Sequence, residues 1–153
     1  MKSITTSLFY ILLICCFPFL GKTQTNPTDS LALVALYNTT DGANWTNTWN
    51  LSQPVNSWQG VLLNDDGRVS ELNLNSNGLS GDIPSEIGDL SSLINLYLSS
   101  NQLTGNIPAT IENLSNLSHL QLNENQLEAL PEAIGNLSNL TYLYVQNNQL
   151  PHI

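Results

Sequence analysis

The chain has 153 residues, 41% of them hydrophobic, and carries a formal charge of −9 from 12 acidic and 3 basic side chains. That length bounds it to one modest domain, and so few cations exclude nucleic acid, whose phosphates are held by clustered Lys and Arg, and disfavour an anionic membrane surface. The acidic residues are scattered rather than run together, which reads as a solvated face that favours solubility.

Met1 to Thr23 reads as a secretory leader. Lys2 supplies the positive start, and Leu8 to Leu20 is an apolar run of 13 residues, too short to span a bilayer comfortably. The expectation is an exported protein, secreted or at the cell surface, with no membrane insertion once the leader is removed. The cleavage point is poorly marked, with only Gly21 and Thr23 as small residues at plausible spacing. A lipid anchor would need a cysteine directly after a small residue, whereas Cys15 follows Ile14 and Cys16 follows Cys15. Both cysteines leave with the leader, so no disulfide or thiolate metal site is available afterwards. Lys2 and Lys22 leave too, so Arg68 alone faces the acidic residues and the formal charge becomes −11.

Residues 24–67 read as an N-terminal cap. Thr25 to Thr28, containing Pro27, is a short linker, and Asp29 caps a helix in which Leu33, Leu36 and Tyr37 recur at i, i+3, i+4. The turn-rich Asn38-Thr39-Thr40-Asp41-Gly42 ends it. Trp45, Trp49 and Trp58 follow at a density that suits either a carbohydrate platform or a core, and their position at the open end of a repeat array favours core, because such arrays need an atypical terminal unit. Gly60 to Leu63 and Arg68 to Leu72 are then two strands of a hairpin, with Asn64-Asp65-Asp66-Gly67 as the tight turn and Gly67 suited to positive φ.

From Arg68 to Ile153 the chain repeats itself in about three and a half units: VSELNLNSNGLSGDIPSEIGDLSS, LINLYLSSNQLTGNIPATIENLSN, LSHLQLNENQLEALPEAIGNLSN and LTYLYVQNNQLPHI. Asn77, Asn101, Asn125 and Asn148 mark spacings of 24, 24 and 23, and the leucines keep the same register. A period of this size with the pattern L-x-x-L-x-L-x-x-N-x-L is the leucine-rich repeat signature. Each unit places a short strand around Leu72/Leu74, Leu96/Leu98, Leu120/Leu122 and Leu143/Val145, with those side chains inward and their neighbours outward. Stacking then buries a continuous core. The fold class is α/β: a leucine-rich repeat solenoid with a curved parallel sheet, a mostly irregular or 3-10 convex side and a helical N-terminal cap. The repeated asparagines, buried where the chain turns, form a ladder of backbone hydrogen bonds.

Gly-Asp-Ile-Pro (81 to 84) and Gly-Asn-Ile-Pro (105 to 108), each after N-x-L-(S/T), resemble the plant-type leucine-rich repeat of receptor-like kinases and enzyme-inhibitor proteins. The LALVALYN helix, Trp58-Gln59-Gly60-Val61 and GRVSELNL resemble that family's N-terminal cap, and the LYNTTDGANW stretch is also similar to secreted bacterial and algal repeat proteins. The resemblance implies a cap disulfide in a C-x-W-x-G-V-x-C pattern, but Asn56 and Leu63 stand at those positions, so tryptophan packing must hold the cap. The third unit departs as well: Leu127-Glu128-Ala129-Leu130-Pro131 lacks the plant-type Gly and is one residue shorter. The last unit stops at Leu150-Pro151-His152-Ile153 with no closing cap, which is expected to leave Leu143, Val145 and Leu150 as an exposed apolar edge, either docked on another chain or continued by missing repeats.

Nothing points to catalysis. A nucleophilic triad needs a base beside a nucleophile, and beyond the leader only His119 and His152 remain, His119 being placed on a solvent-facing strand position with no carboxylate to orient it. Two histidines 33 apart make no metal cluster, Asn64-Asp65-Asp66-Gly67 lacks the alternating spacing of a calcium loop, and no glycine loop is set to cradle phosphate, so no metal and no cofactor are expected. Binding is better supported. Outward strand positions stack in columns: Glu71, Asn95, His119, Tyr142; Asn73, Tyr97, Gln121, Tyr144; Asn75, Ser99, Asn123, Gln146. This surface of amides and tyrosines suits a protein or glycan ligand, with Asn73, Tyr97, His119, Gln121, Tyr142 and Tyr144 as the candidate contacts. The expected function is an exported interaction module working through its concave face. The rivals are a structural or adhesive surface array and an inhibitor of the kind the resemblance implies. Seven N-x-S/T sequons occur, four of them products of the repeated N-L-S-N-L phrase.

Overall fold

The computed structural model describes residues 25–151. The expected leader, with Cys15 and Cys16, and His152 lie outside the described residues.

Helix α1 (Pro27–Thr39) begins earlier than the sequence suggested. Asn26 is the cap: its Oδ1 accepts from the Thr28 N–H at 2.9 Å, and Pro27 occupies the first helical position, where its missing N–H would have had no partner anyway. Thr25 to Thr28 is therefore helix entry, not linker. Asp29, expected to cap, is instead fully buried. Its carboxylate accepts from Arg68 Nε at 2.9 Å, from Arg68 Nη2 at 2.8 Å and from the Val69 N–H at 2.8 Å. The reason is tertiary: once Asn26 satisfies the helix end, the first-turn carboxylate of Asp29 is free to clamp a cation 39 residues on. At the other end Thr40 returns both its N–H and its hydroxyl to the Leu36 carbonyl, and Asp41 turns left-handed at φ 59°.

Ala32, Leu33 and Leu36 bury one face of α1. Beside them the three tryptophans are 4–5% exposed. Trp58 stacks on Trp49 at 4.9 Å, Trp45 meets Trp49 edge-on at 4.9 Å, and Tyr37 closes on Trp45 at 5.3 Å. Every indole N–H reaches a carbonyl: Trp45 that of Thr40, Trp49 that of Gln59, and Trp58 those of Asn50 and Gln53. Buried and fully paired indoles form a core, not a sugar platform.

The main sheet has the order β1 (Val61–Leu63), β2 (Val69–Asn73), β4 (Asn95–Tyr97), β6 (His119–Gln121), β7 (Tyr142–Tyr144). Strands β1 and β2 form the antiparallel hairpin, turning at Gly67 with φ 72°, and the rest are parallel. The hairpin carries a bulge, since Leu62 faces Glu71 while Leu63 faces Val69. The extra residue, Ser70, lets Val69 and Leu72 both point into the core, where each is fully buried. Leu72, Leu96 and Leu120 fill the core from the strands, and Leu74, Leu98 and Leu122 fill it from the positions just beyond. In the last unit Leu143 is 38% exposed.

Opposite the sheet each unit makes a 3-10 turn: Ser85–Asp89, Ala109–Asn113 and Glu132–Asn136. Ile87 and Ile111 anchor the first two. A second parallel pair, β3 (Ser80–Asp82) and β5 (Gln102–Thr104), flanks the core and was not anticipated. Gly81 is required there, because with φ 112° a Cβ would stand 2.3 Å from the Thr39 carbonyl at the end of α1. The third unit, which lacks the glycine, contributes only the isolated bridge Asn106↔Ala129. The departure seen in the sequence is thus where the second sheet ends.

The asparagine ladder forms rung by rung. Asn101 Oδ1 accepts from the Asn77 and Leu79 N–H groups, and its Nδ2 donates to the Leu74 and Leu98 carbonyls. Asn125 and Asn148 repeat the pattern toward Leu103 and Leu127. The first rung reaches the cap instead: Asn77 Oδ1 accepts from the Asn47 N–H at 2.7 Å. Each of these asparagines follows a left-handed residue, Ser76, Ser100, Glu124 or Asn147, with φ between 52° and 59°. Serine and glutamate carry no local signal for that conformation, so it is imposed by the ladder.

Candidate functional site

The outward side chains stand in the columns that the repeat register dictates. Glu71 pairs with Asn95, Asn95 with His119 and His119 with Tyr142; beside them run Asn73, Tyr97, Gln121 and Tyr144. The candidate contacts Asn73, Tyr97, His119, Gln121, Tyr142 and Tyr144 therefore lie on neighbouring strands of one face. Asn73, Tyr142 and Tyr144 are exposed, and Tyr97, His119 and Gln121 are half-buried. Side-chain bonds tie the face together: Asn95 Nδ2 donates to Glu71 Oε2 at 2.9 Å, Asn75 Nδ2 to Gln121 Oε1 at 3.4 Å, and the Ser99 N–H to Asn75 Oδ1 at 2.7 Å.

His119 differs from its expected solvent-facing role. Its ring stacks on Tyr142 with centroids 4.5 Å apart and planes 22° off parallel, and its Nδ1 is buried without a partner. The stack arises because the two residues are direct register partners, and parallel register holds flat rings one above the other. Tyr97 sits between the amide and aromatic halves of the face. Burial, with a smaller contribution from the nearby Glu71 carboxylate, pushes its phenol above the ordinary 10.0.

The two halves have different chemistry. Toward the last strand the face is aromatic: His119, Tyr142 and Tyr144. Toward the cap it opens into a cleft of about 470 Å3, lined by Asn47, Gln59, Gly60, Leu62, Glu71, Asn73 and Asn75 among others. The sequence columns stopped at Glu71 and missed Asn47, Gln59 and Leu62. The signal was present, since Trp58-Gln59-Gly60-Val61 was read as the start of the hairpin, but only the bulged register sets Leu62 beside Glu71. A second hollow of about 510 Å3, lined by Asn64, Ser92, Ile94, Asn116, Ser118 and Asn139, lies off this face. Its amides are already committed, Asn116 to the Ser91 carbonyl and Asn139 to that of Ser115, so they hold successive turns together.

No cation stands on the face. Arg68, the one Lys or Arg among the described residues, is engaged by Asp29 at 2.8 Å and by Ser91 at 2.9 Å. The hydrogen bond to Asp29 raises its pKa further above the usual arginine value, burial opposing and the carboxylate's charge adding. Among the described residues no three His, Cys, Asp or Glu side chains converge to hold a metal ion, and no helix is long and apolar enough to cross a membrane.

Leucine-rich repeat family models match residues 68–90 and 96–150. The chain is 39% identical over 74 residues to the leucine-rich repeat receptor-like protein kinase PEPR2 of Arabidopsis thaliana, covering 43% of this chain and 7% of that protein. The BIR2 ectodomain of Arabidopsis thaliana superposes with a TM-score of 0.72 at 34% identity, over 80% of this chain and 68% of that one. The plant peptide hormone receptor RGFR1, solved in complex with RGF2, superposes with a TM-score of 0.51 at 35% identity, over 52% of this chain and 13% of the other. The chain spans less than a tenth of the curated relatives it matches.

Proposed function

The chain belongs to the leucine-rich repeat family, in its plant type, and from that membership we propose that it is an exported interaction module, without catalysis of its own, that captures a peptide or protein segment on its concave face. One observation carries this reading: outward columns over strands β2, β4, β6 and β7 in strict register, one of them, Asn73, Tyr97, Gln121 and Tyr144, made of amides and tyrosines throughout. Amides offer both donors and acceptors to an extended backbone. Tyrosines add contact area at little cost in side-chain freedom. The peptide hormone receptor among its structural relatives supports a peptide over a glycan.

The test is selection of peptide binders from a displayed random library against the purified chain. Tyr97→Ala combined with Tyr144→Ala should abolish capture of the selected peptides, while Glu86→Ala on the convex side should leave it intact. An array-extending or adhesive role would instead leave capture indifferent to the tyrosines.

A further inference from the structure

We propose that the cleft at the cap end of the concave face is a receptor for one cationic side chain, lysine or arginine, of an extended peptide. The proposal rests on the concave-face reading and names the ligand chemistry that this reading leaves open.

Leu62 and Glu71 are opposed across the antiparallel hairpin, so their side chains share the concave face. Leu62 is 57% exposed and gives the cleft an apolar wall. Next to it stands the one carboxylate of the three outward columns. Glu71 Oε2 accepts from Asn95, and among the described residues Oε1 has no partner. Amides of Asn47, Gln59, Asn73 and Asn75 complete the lining and offer further acceptor oxygens. An apolar wall beside an anionic acceptor matches a residue with an aliphatic stem and a charged head. The cleft, about 470 Å3, falls within the range of about 300–1,000 Å3 typical of small-ligand sites.

Charge decides the sign. Among the described residues no Lys or Arg counters Glu71, since the one that is present, Arg68, is committed to Asp29. A phosphorylated, sulfated or uronate ligand would therefore meet a carboxylate and no cation, and like charges at close range repel an otherwise fitting partner. A peptide with Lys or Arg placed here would lay its next residues along the columns toward Tyr97 and then Tyr142 and Tyr144.

Three acetylated and amidated pentapeptides, Gly-Gly-X-Gly-Gly with X as Arg, citrulline or Glu, provide the probes. Each is titrated into the isotopically labelled chain while backbone amide resonances are followed. The arginine peptide should shift Gly60, Leu62 and Asn73, and citrulline, isosteric but uncharged, should bind about tenfold or more weakly. Glu71→Gln keeps an oxygen for Asn95 and should erase the preference for arginine without changing the melting temperature. Equal shifts from all three peptides, shifts confined to Tyr142 and Tyr144, or no shift at millimolar peptide would overturn the proposal. Failure here is separable from failure of the broader reading: selected peptides lost by the Tyr97 and Tyr144 variants yet indifferent to Glu71→Gln would leave the concave face standing and remove the cleft.

Discussion

Removing Asp29 probes the joint between cap and repeats. The carboxylate is 0% exposed while its partner Arg68 is 24% exposed, so the two single variants should not cost the same. Taking away one member of a buried pair typically costs about 3–5 kcal/mol, because a charge is left without compensation. In Asp29→Ala the stranded guanidinium can regain water, but the Val69 N–H also loses its acceptor, which adds about 1–2 kcal/mol and places the loss at about 4–5 kcal/mol. In Arg68→Ala the stranded carboxylate cannot regain water, and the loss should be nearer 4 kcal/mol by the same argument. The double variant Asp29→Leu with Arg68→Met replaces the pair by apolar groups of similar size and leaves only the Val69 N–H without its acceptor, a cost of about 1–2 kcal/mol. Urea denaturation followed by tryptophan fluorescence reads all three, since Trp45, Trp49 and Trp58 lie in the cap that the pair fastens. A domain of this kind is stable by about 5–15 kcal/mol, so each loss is measurable. If Asp29 merely capped α1, Asp29→Ala would cost about 1 kcal/mol and Arg68→Ala almost nothing. Small, additive losses from both single variants would refute the clamp.

Other outcomes follow from particular contacts. Asn125→Ala strands the Leu103 N–H, while the Leu98 and Leu122 carbonyls keep Asn101 and Asn148 as donors, and should cost about 1–3 kcal/mol in the same urea assay. Gly88→Ala should destabilise because its Cβ would stand 2.4 Å from the Thr110 carbonyl, whereas Gly135→Ala, at the equivalent place with no atom of the described residues within 4 Å, should not; thermal melts of the two compare them directly. Trp45→Phe removes the 2.7 Å bond to the Thr40 carbonyl, which keeps the Ser80 N–H as a donor, and should lower stability by about 0.5–1.5 kcal/mol, the net worth of one hydrogen bond. In an ultraviolet titration Tyr97 should ionise above its ordinary 10.0, and Glu71→Gln should bring it partly back. Because its folded value is raised, ionising Tyr97 costs stability as pH climbs through the folded value, so Tyr97→Phe, which cannot ionise, should lose less stability at alkaline pH and denature later.

What the sequence made legible was what repeats with a residue type to mark it. The strand leucines, the asparagine ladder, the outward columns and the 3-10 side all follow from one phrase held in register, because a solenoid's contacts are between equivalent positions of neighbouring units. What it concealed was what occurs once, and what repeats in the backbone without a residue to mark it. Asp29 satisfied the rule for a helix cap as well as Asn26 did, and only the fold revealed Arg68 waiting 39 residues away. The left-handed turns at Ser76, Ser100 and Glu124 carry no glycine, so no local signal announced them. Strand pairing on the second sheet escaped because three-residue strands such as Ser80–Asp82 show no alternation to read.

The cleft belongs to the same class of singular features, and that is why it carries more information than the columns. A repeat array by itself can only present a periodic face, and a periodic face distinguishes ligands by length and general polarity. Distinguishing one residue type from another requires a break in the period. Here the break is the hairpin: one antiparallel strand laid against a parallel array brings Leu62, Gln59 and the cap's Asn47 around Glu71. The same joint buries Asp29 against Arg68, so none of the described residues brings a Lys or Arg to Glu71. The hairpin that fastens the cap to the repeats is thus also the break in the period that shapes the cleft.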